Sequence, residues 1–216
     1  MIRPLVRRYL LLAWLPAALN APARATNTPA RRATILVLGD SLSAEYGLKR
    51  GSGWVALLEQ RLQREKLSAS VVNASISGET TSGGRSRLAA LLARHKPTHV
   101  IIELGGNDAL RGLPMQMTQD NLGQMTGAAQ AAGAKVLLVG MQVPPNYGAD
   151  YGQRFADAFA TVARKHKAAL VPFLLKGIAD APDPTRLFQK DRIHPTEEAH
   201  PAMLDNLWPE LRKLLA

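Results

Sequence analysis

The stretch TILVLGDSLSAEYG (residues 34–47) decides how the rest of the chain is read. It opens with β-branched and apolar residues, and no polar side chain interrupts Ile35 to Leu38. That is the pattern of a strand buried on both faces. The run then stops abruptly at Gly39, Asp40 and Ser41. Two readings of Ser41 fit these residues. Serine is a favoured helix cap, so Ser41 can simply start the next helix. It can also stand at a strand tip because something reacts there.

Working outward, strand and helix patterns alternate with short links. Residues 34–38 read as the first strand. Residues 54–66 carry Val55, Leu57, Leu58 and Leu62 at helical spacing, and 69–73 form a short strand. Residues 85–95 are a helix stopped ahead of Pro97, and 99–104 are the most continuous apolar strand. A helix over 118–132 has Leu122, Met125 and Ala129 on one face and Gly133 just past its end. A strand at 135–139, a helix at 150–165 and a strand at 169–171 follow. Residues 196–215 are mostly helical, with a kink or break expected at Pro201 and Pro209. Continuous apolar strands alternating with helices predict an α/β fold: a parallel sheet of about five strands in a three-layer α/β/α sandwich.

The chain has 216 residues, 46% of them hydrophobic, enough for one such domain and too few for two ordinary ones. It has no cysteine, which excludes disulfides, a thiol nucleophile and Cys-ligated zinc. Lys and Arg number 27 against 17 Asp and Glu, a formal charge of +10. Part of that excess lies in residues 1–25, where Arg3, Arg7 and Arg8 precede an apolar stretch at 9–19 and Ala23-Arg24-Ala25 closes it. This is the layout of a signal peptide. The stretch is shorter than the roughly 20 apolar residues of a membrane span, and Pro16 interrupts it. The expectation is a leader at 1–25 cleaved after Ala25, a linker at 26–33, and a single domain over 34–216, periplasmic or secreted. Without the leader's four arginines the balance is 23 basic to 17 acidic residues, or +6. Those basic residues are scattered, with no aromatic-interleaved basic run, which argues against a nucleic-acid partner. Transient contact with a membrane surface is compatible with the charge, and a monomer is expected.

In an open α/β sheet, ligands bind outside the carboxyl ends of the strands. Gly39-Asp40-Ser41 follow the first strand, and NASISGET (73–80) closes the second and leads out of it. Gly105-Gly106-Asn107-Asp108 follow the third, MQVPPNYG (141–148) the fourth, and Asp191-Arg192-Ile193-His194 come later. This set supports acyl transfer through a serine. A serine hydroxyl needs a base to take its proton, and an imidazole titrating near 6.5 is suited to that at neutral pH. His194 can serve, with Asp191 three residues away to accept from its other nitrogen. The backbone N–H groups of Ser41 and Gly78 and the Asn107 amide can donate to an oxyanion. Leu110, Leu113, Val143 and Pro144, on two loops at the same edge, are expected to line an apolar groove.

Four segments in order, GDSLSAEYG, NASISGETTSGG, ELGGNDALRG and DRIHPTEEA, resemble the four blocks of the SGNH (GDSL-type) hydrolases. The likeness is strongest to the bacterial periplasmic thioesterase I, lysophospholipase L1 and arylesterase group. It runs from about Thr34 to the C-terminal helix. The resemblance implies a flavodoxin-like sandwich, with Ser41 as nucleophile, Asp191 and His194 completing a triad, and Gly78 and Asn107 as oxyanion donors. It also implies no metal and no organic cofactor. Aryl esters, acyl thioesters and lysophospholipids are the implied small-molecule substrates. Glu45 departs from the family's usual glycine and puts substrate preference in question.

Two other functions fit less well: a carbohydrate O-deacetylase, which a shallow polar site would favour, and a non-catalytic acyl- or polysaccharide-binding protein. The pattern G-x-S-x-G is absent, which disfavours the α/β-hydrolase fold. His95, His99, His166 and His200 have no metal-ligand spacing and read as surface or packing residues.

Overall fold

The computed structural model describes residues 32–183 and 185–216. The leader falls outside the described residues, as does nearly all of the linker. Five parallel strands form one sheet: β1 (Ala33–Gly39), β2 (Ala69–Asn73), β3 (His99–Glu103), β4 (Lys135–Val139) and β5 (Ala169–Val171), in the order β2-β1-β3-β4-β5. Ile35 to Leu38 are wholly buried, as the uninterrupted apolar run requires.

The helices are α1 (Trp54–Arg64), α2 (Thr81–His95), α3 (Gly106–Leu110), α4 (Met115–Ala131), α5 (Ala149–His166) and α6 (His200–Leu215). The link from β1 to β2 runs one way along the sheet and every later link runs the other. Crossovers between parallel strands are right-handed, so the reversal sends α1 to one face and α2, α4 and α5 to the opposite face. Accordingly α1 packs on α6, while α2 packs on α4 and α4 on α5. The flavodoxin-like sandwich and its strand order follow. The reversal leaves a crevice between the carboxyl ends of β1 and β3, where Gly39 pairs with Glu103.

Three expectations need correcting. Helix α2 begins at Thr81, four residues before the expected start, because the Thr80 side chain caps it by accepting from the Gly83 N–H at 3.2 Å. Helix α4 begins at Met115, three residues before the expected start, directly after Pro114. Helix α6 is unbroken. Pro201 sits in its first turn, where no N–H is needed, and Pro209 lies inside the helix.

The first backbone N–H of α1 has an unusual partner. Gly53 precedes the helix and offers no side chain, and the Trp54 N–H instead donates to His200 Nδ1 at 3.0 Å. Burial is the main reason the His200 imidazole is pushed down to about 4, against the pull of Glu45 and Glu197. It is therefore neutral, as an acceptor must be. His99 is also buried, with its Nε2 3.0 Å from the Leu214 carbonyl, and burial lowers its pKa too.

Candidate active site

The turn after β1 places Ser41. Gly39 must be glycine: a Cβ there would lie 2.7 Å from Ser43 Oγ and 2.8 Å from Glu103 Oε2. Ser43 turns inward and donates to Glu103 Oε2 at 2.6 Å. Asp40 is buried and accepts from the Leu42 N–H at 3.0 Å through Oδ1. These contacts fasten the turn from beneath and leave Ser41, half-buried, at the strand tip. Burial pushes the Asp40 carboxyl up to about 6, against the pull of Leu42 N–H and the Asn107 amide. Burial, and then the Asp40 charge, push Glu103 well above the usual carboxylate range.

An antiparallel bridge between Phe188 and Pro195 folds the chain back on itself ahead of α6 and delivers Asp191 and His194. Asp191 Oδ1 accepts the backbone N–H groups of Ile193 and His194, both at 3.0 Å. Its Oδ2 lies 2.7 Å from His194 Nδ1. Desolvation opposes ionisation here, but these three bonds and the imidazole overcome it and hold the carboxyl down to about 2. An ionised carboxylate only accepts, so Nδ1 carries the ring proton. That leaves the Nε2 lone pair facing Ser41 Oγ at 2.9 Å. Arg192 occupies the tight turn at φ +58°. Gln189 braces the segment: its side-chain Nε2 donates to the carbonyls of Tyr46 and Pro195, both at 3.0 Å. The Tyr46 ring lies 4.2 Å from the His194 ring, a contact no sequence pattern announced.

Asn107 comes from the first turn of α3. Its Nδ2 donates one hydrogen to Asp40 Oδ2 at 2.9 Å. Asp108 fixes the same helix: it is buried, and accepts from the Thr81 N–H at 2.9 Å, the Thr81 hydroxyl, and the Thr118 hydroxyl at 3.2 Å. The sequence left Asp108 without a role. Gly78 lies in the loop after β2 at φ +78°, where a side chain would be strained. Arg111 Nη2 donates to the Gly78 carbonyl at 2.8 Å. Arg87 ties the same loop down through Glu79, at 2.7 Å, and through the Ala74 carbonyl at 2.5 Å.

Ser41, Asn107 and His194 open into a cleft of about 640 Å³. Leu110, Val143 and Pro144 line it, and Leu113 and Gly78 do not. Its deeper wall holds Met141, Phe173, Leu175 and Phe188, which sequence reasoning missed because they come from irregular segments after β4 and β5. Glu45 is engaged within its own loop. Its carboxylate accepts the Gly51 and Gly53 N–H groups at 2.9 Å each, and so closes its own loop.

Residues 37–202 match the GDSL-like Lipase/Acylhydrolase family. The chain is 52% identical to the esterase TesA of Pseudomonas aeruginosa over 182 residues, covering 84% of this chain and 89% of that protein. It is 40% identical to thioesterase 1/protease 1/lysophospholipase L1 of Escherichia coli K12 over 182 residues, 84% of this chain and 85% of that one. A crystal structure of TesA superposes with a TM-score of 0.81 at 51% identity, covering 84% of this chain and 99% of its own. By the breadth of that match, this chain belongs to the GDSL-like lipase/acylhydrolase family, the SGNH hydrolases.

Proposed function

We propose that this protein is a serine esterase and thioesterase that hydrolyses carboxylic esters through an acyl-enzyme on Ser41. The observation that carries the reading is the unbroken chain Ser41 Oγ, His194 and Asp191, with contacts of 2.9 and 2.7 Å, opening into an apolar cleft. The names of its relatives as esterase and as thioesterase and lysophospholipase support the same class.

The geometry supports an ordered sequence. Ser41 Oγ attacks the acyl carbon while its proton passes to His194 Nε2. Charge develops on the former carbonyl oxygen. The Ser41 N–H and the second hydrogen of the Asn107 amide, both on the cleft, receive it; the Gly78 N–H is a further donor by resemblance to the family. The bond to the leaving oxygen or sulfur breaks, and Nε2 returns the proton to that atom. Water then attacks the acyl-enzyme by the same proton route, releasing the carboxylic acid and restoring Ser41. Asp191 keeps the imidazole in the productive tautomer and stabilises the imidazolium that forms.

The acyl chain lies against Leu110, Val143, Pro144 and the deeper Met141 and Phe173. Aryl esters, acyl thioesters and lysophospholipids each present an acyl chain of this kind. The apolar wall favours them over an acetylated sugar, which would ask for a shallower, more polar site. The signal-peptide pattern in the sequence of residues 1–25 supports action in the periplasm or outside the cell. A p-nitrophenyl ester series from acetate to palmitate, assayed on the wild type and Ser41→Ala, tests the proposal. Turnover by the wild type and a loss of at least about 10³-fold in the variant are expected. Equal activity in both would refute the triad, and inactivity of both would turn attention to acetylated glycans.

A further inference from the structure

Large hydrophobic side chains stand exposed at only four places among the described residues: Tyr46 (49% accessible), Ile76 (51%), Leu110 (47%) and Ile193 (46%). They are far apart in sequence, yet all four leave the carboxyl edge of the sheet. Tyr46 is on the loop after β1, Ile76 on the loop after β2, Leu110 ends α3 beyond β3, and Ile193 is on the segment between β5 and α6. They gather round one opening: Leu110 and Ile193 line the cleft, Tyr46 lies on His194, and the Ile76 N–H bonds the Gly39 carbonyl two residues before Ser41. Scattered exposed apolar residues need no explanation, but their confinement to one rim does.

The charges at this edge are arranged with the same bias. Lys49, Arg50, Arg111, Lys190 and Arg192 are exposed, and none forms an ion pair among the described residues. Most of the nearby acids are held by groups of the protein; Asp180, exposed on the cleft, accepts the Gly177 N–H and forms no ion pair among the described residues. Glu45 is held by Gly51 and Gly53, Glu79 by Arg87, and Asp191 by His194. The rim therefore presents apolar tips among five unpaired cations, which outnumber the one unpaired acid on the cleft, Asp180.

We propose that this rim docks on an anionic phospholipid surface, with Tyr46, Ile76, Leu110 and Ile193 entering the headgroup boundary and the five cations facing lipid phosphates. Apolar insertion combined with basic residues is the chemistry that peripheral proteins use at such surfaces. The inference rests on the proposed function only in its consequence, that docking sets the cleft mouth against lipid acyl chains.

The absence of cysteine allows a clean test. In the full chain carrying Ser41→Ala, so that no lipid is consumed, an environment-sensitive dye is attached at Ile76→Cys or, at the opposite edge of the sheet, at Ala132→Cys. Vesicles of phosphatidylglycerol or phosphatidylcholine are added. The proposal predicts a blue shift at position 76 with phosphatidylglycerol, reversed by salt, and none at 132. A shift at neither position overturns it. Equal shifts at both overturn it too, since attachment through residues 1–25 or through another face would give that. An equal response to phosphatidylcholine overturns the anionic assignment. Lys49→Glu with Arg50→Glu should weaken vesicle binding at least about tenfold and leave hydrolysis of a soluble short-chain ester unchanged. Unchanged vesicle binding would contradict the charge argument. Because docking is read without turnover, its failure is distinct from failure of the esterase reading.

Discussion

Asp40 and Asn107 share one hydrogen bond that links the two sides of the crevice between β1 and β3. Asp40 Oδ2 accepts one amide hydrogen of Asn107 at 2.9 Å, and Asp40 Oδ1 accepts the Leu42 N–H at 3.0 Å. The first bond fixes the amide of Asn107, which lines the cleft, and the second holds the turn that carries Ser41. One buried carboxylate thus sets both a donor and the strand tip. Asn107→Ala should lower kcat by about 10²- to 10³-fold, the usual effect of losing an oxyanion donor, with a smaller change in KM. Asp40→Asn places an amide where an acceptor is needed, and should lower kcat roughly ten- to a hundredfold. Steady-state kinetics on a p-nitrophenyl ester checks both, and unchanged kcat in both would remove Asn107 from the mechanism.

Chain-length preference depends on the cleft wall. Leu110→Asp places a charge on the cleft wall proposed to hold the acyl chain. Each methylene that loses its apolar contact forfeits about 0.8 kcal/mol. The loss in kcat/KM should therefore be at least about tenfold greater for octanoate than for acetate esters. Equal losses on both would mean that the chain does not lie along Leu110.

Asp108 supports the site through stability. It accepts from Thr81 and Thr118, and Asn121 Nδ2 donates to the same Thr81 hydroxyl at 3.0 Å. Asp108→Ala leaves those buried donors without a partner and should cost about 3 kcal/mol in urea unfolding. Because α3 also carries Asn107, kcat should fall while the far-UV spectrum is kept. Wild-type stability in this variant would contradict the network.

The pH dependence of folding has a definite sign at His200. Its folded pKa of about 4 is below the usual 6.5, so between these values the unfolded chain binds a proton that the folded chain refuses. Its contribution to stability is complete above about 6.5 and declines as pH falls toward 4. Asp40, raised to about 6, acts oppositely over part of that window, so the wild type alone does not isolate the effect. The stability difference between wild type and His200→Asn, whose amide oxygen can still accept from Trp54, should shrink as pH falls from 7 to 4.5. A pH-independent difference would contradict the assignment.

The sequence made most of this visible wherever a local pattern sufficed. Strands β2, β4 and β5 fall on the expected residues, because short apolar runs bounded by turns have little freedom. The order of the four blocks brought Ser41, Asn107 and His194 to one edge. What stayed hidden depended on contacts between distant segments. Helix α2 starts early although Gly83 and Gly84 discourage helix. Gly84 is needed small there, since a Cβ would stand 2.4 Å from Leu104 Cδ1. Phe173 and Phe188 follow no period, and only the folded chain brings them to the acyl wall. Tyr46 on His194, Gln189 across two loops and Glu45 within its own loop are likewise tertiary facts.

Hydrolysis through an acyl-enzyme requires that Ser41 become covalently modified by an acyl donor. A serine-directed phosphonate ester, followed by intact-mass and peptide mass spectrometry, tests it most directly. One phosphonyl group per chain is expected, located on Ser41, with activity lost in proportion and no labelling of Ser41→Ala. Labelling of another residue, or full activity after Ser41 has been modified, would contradict it.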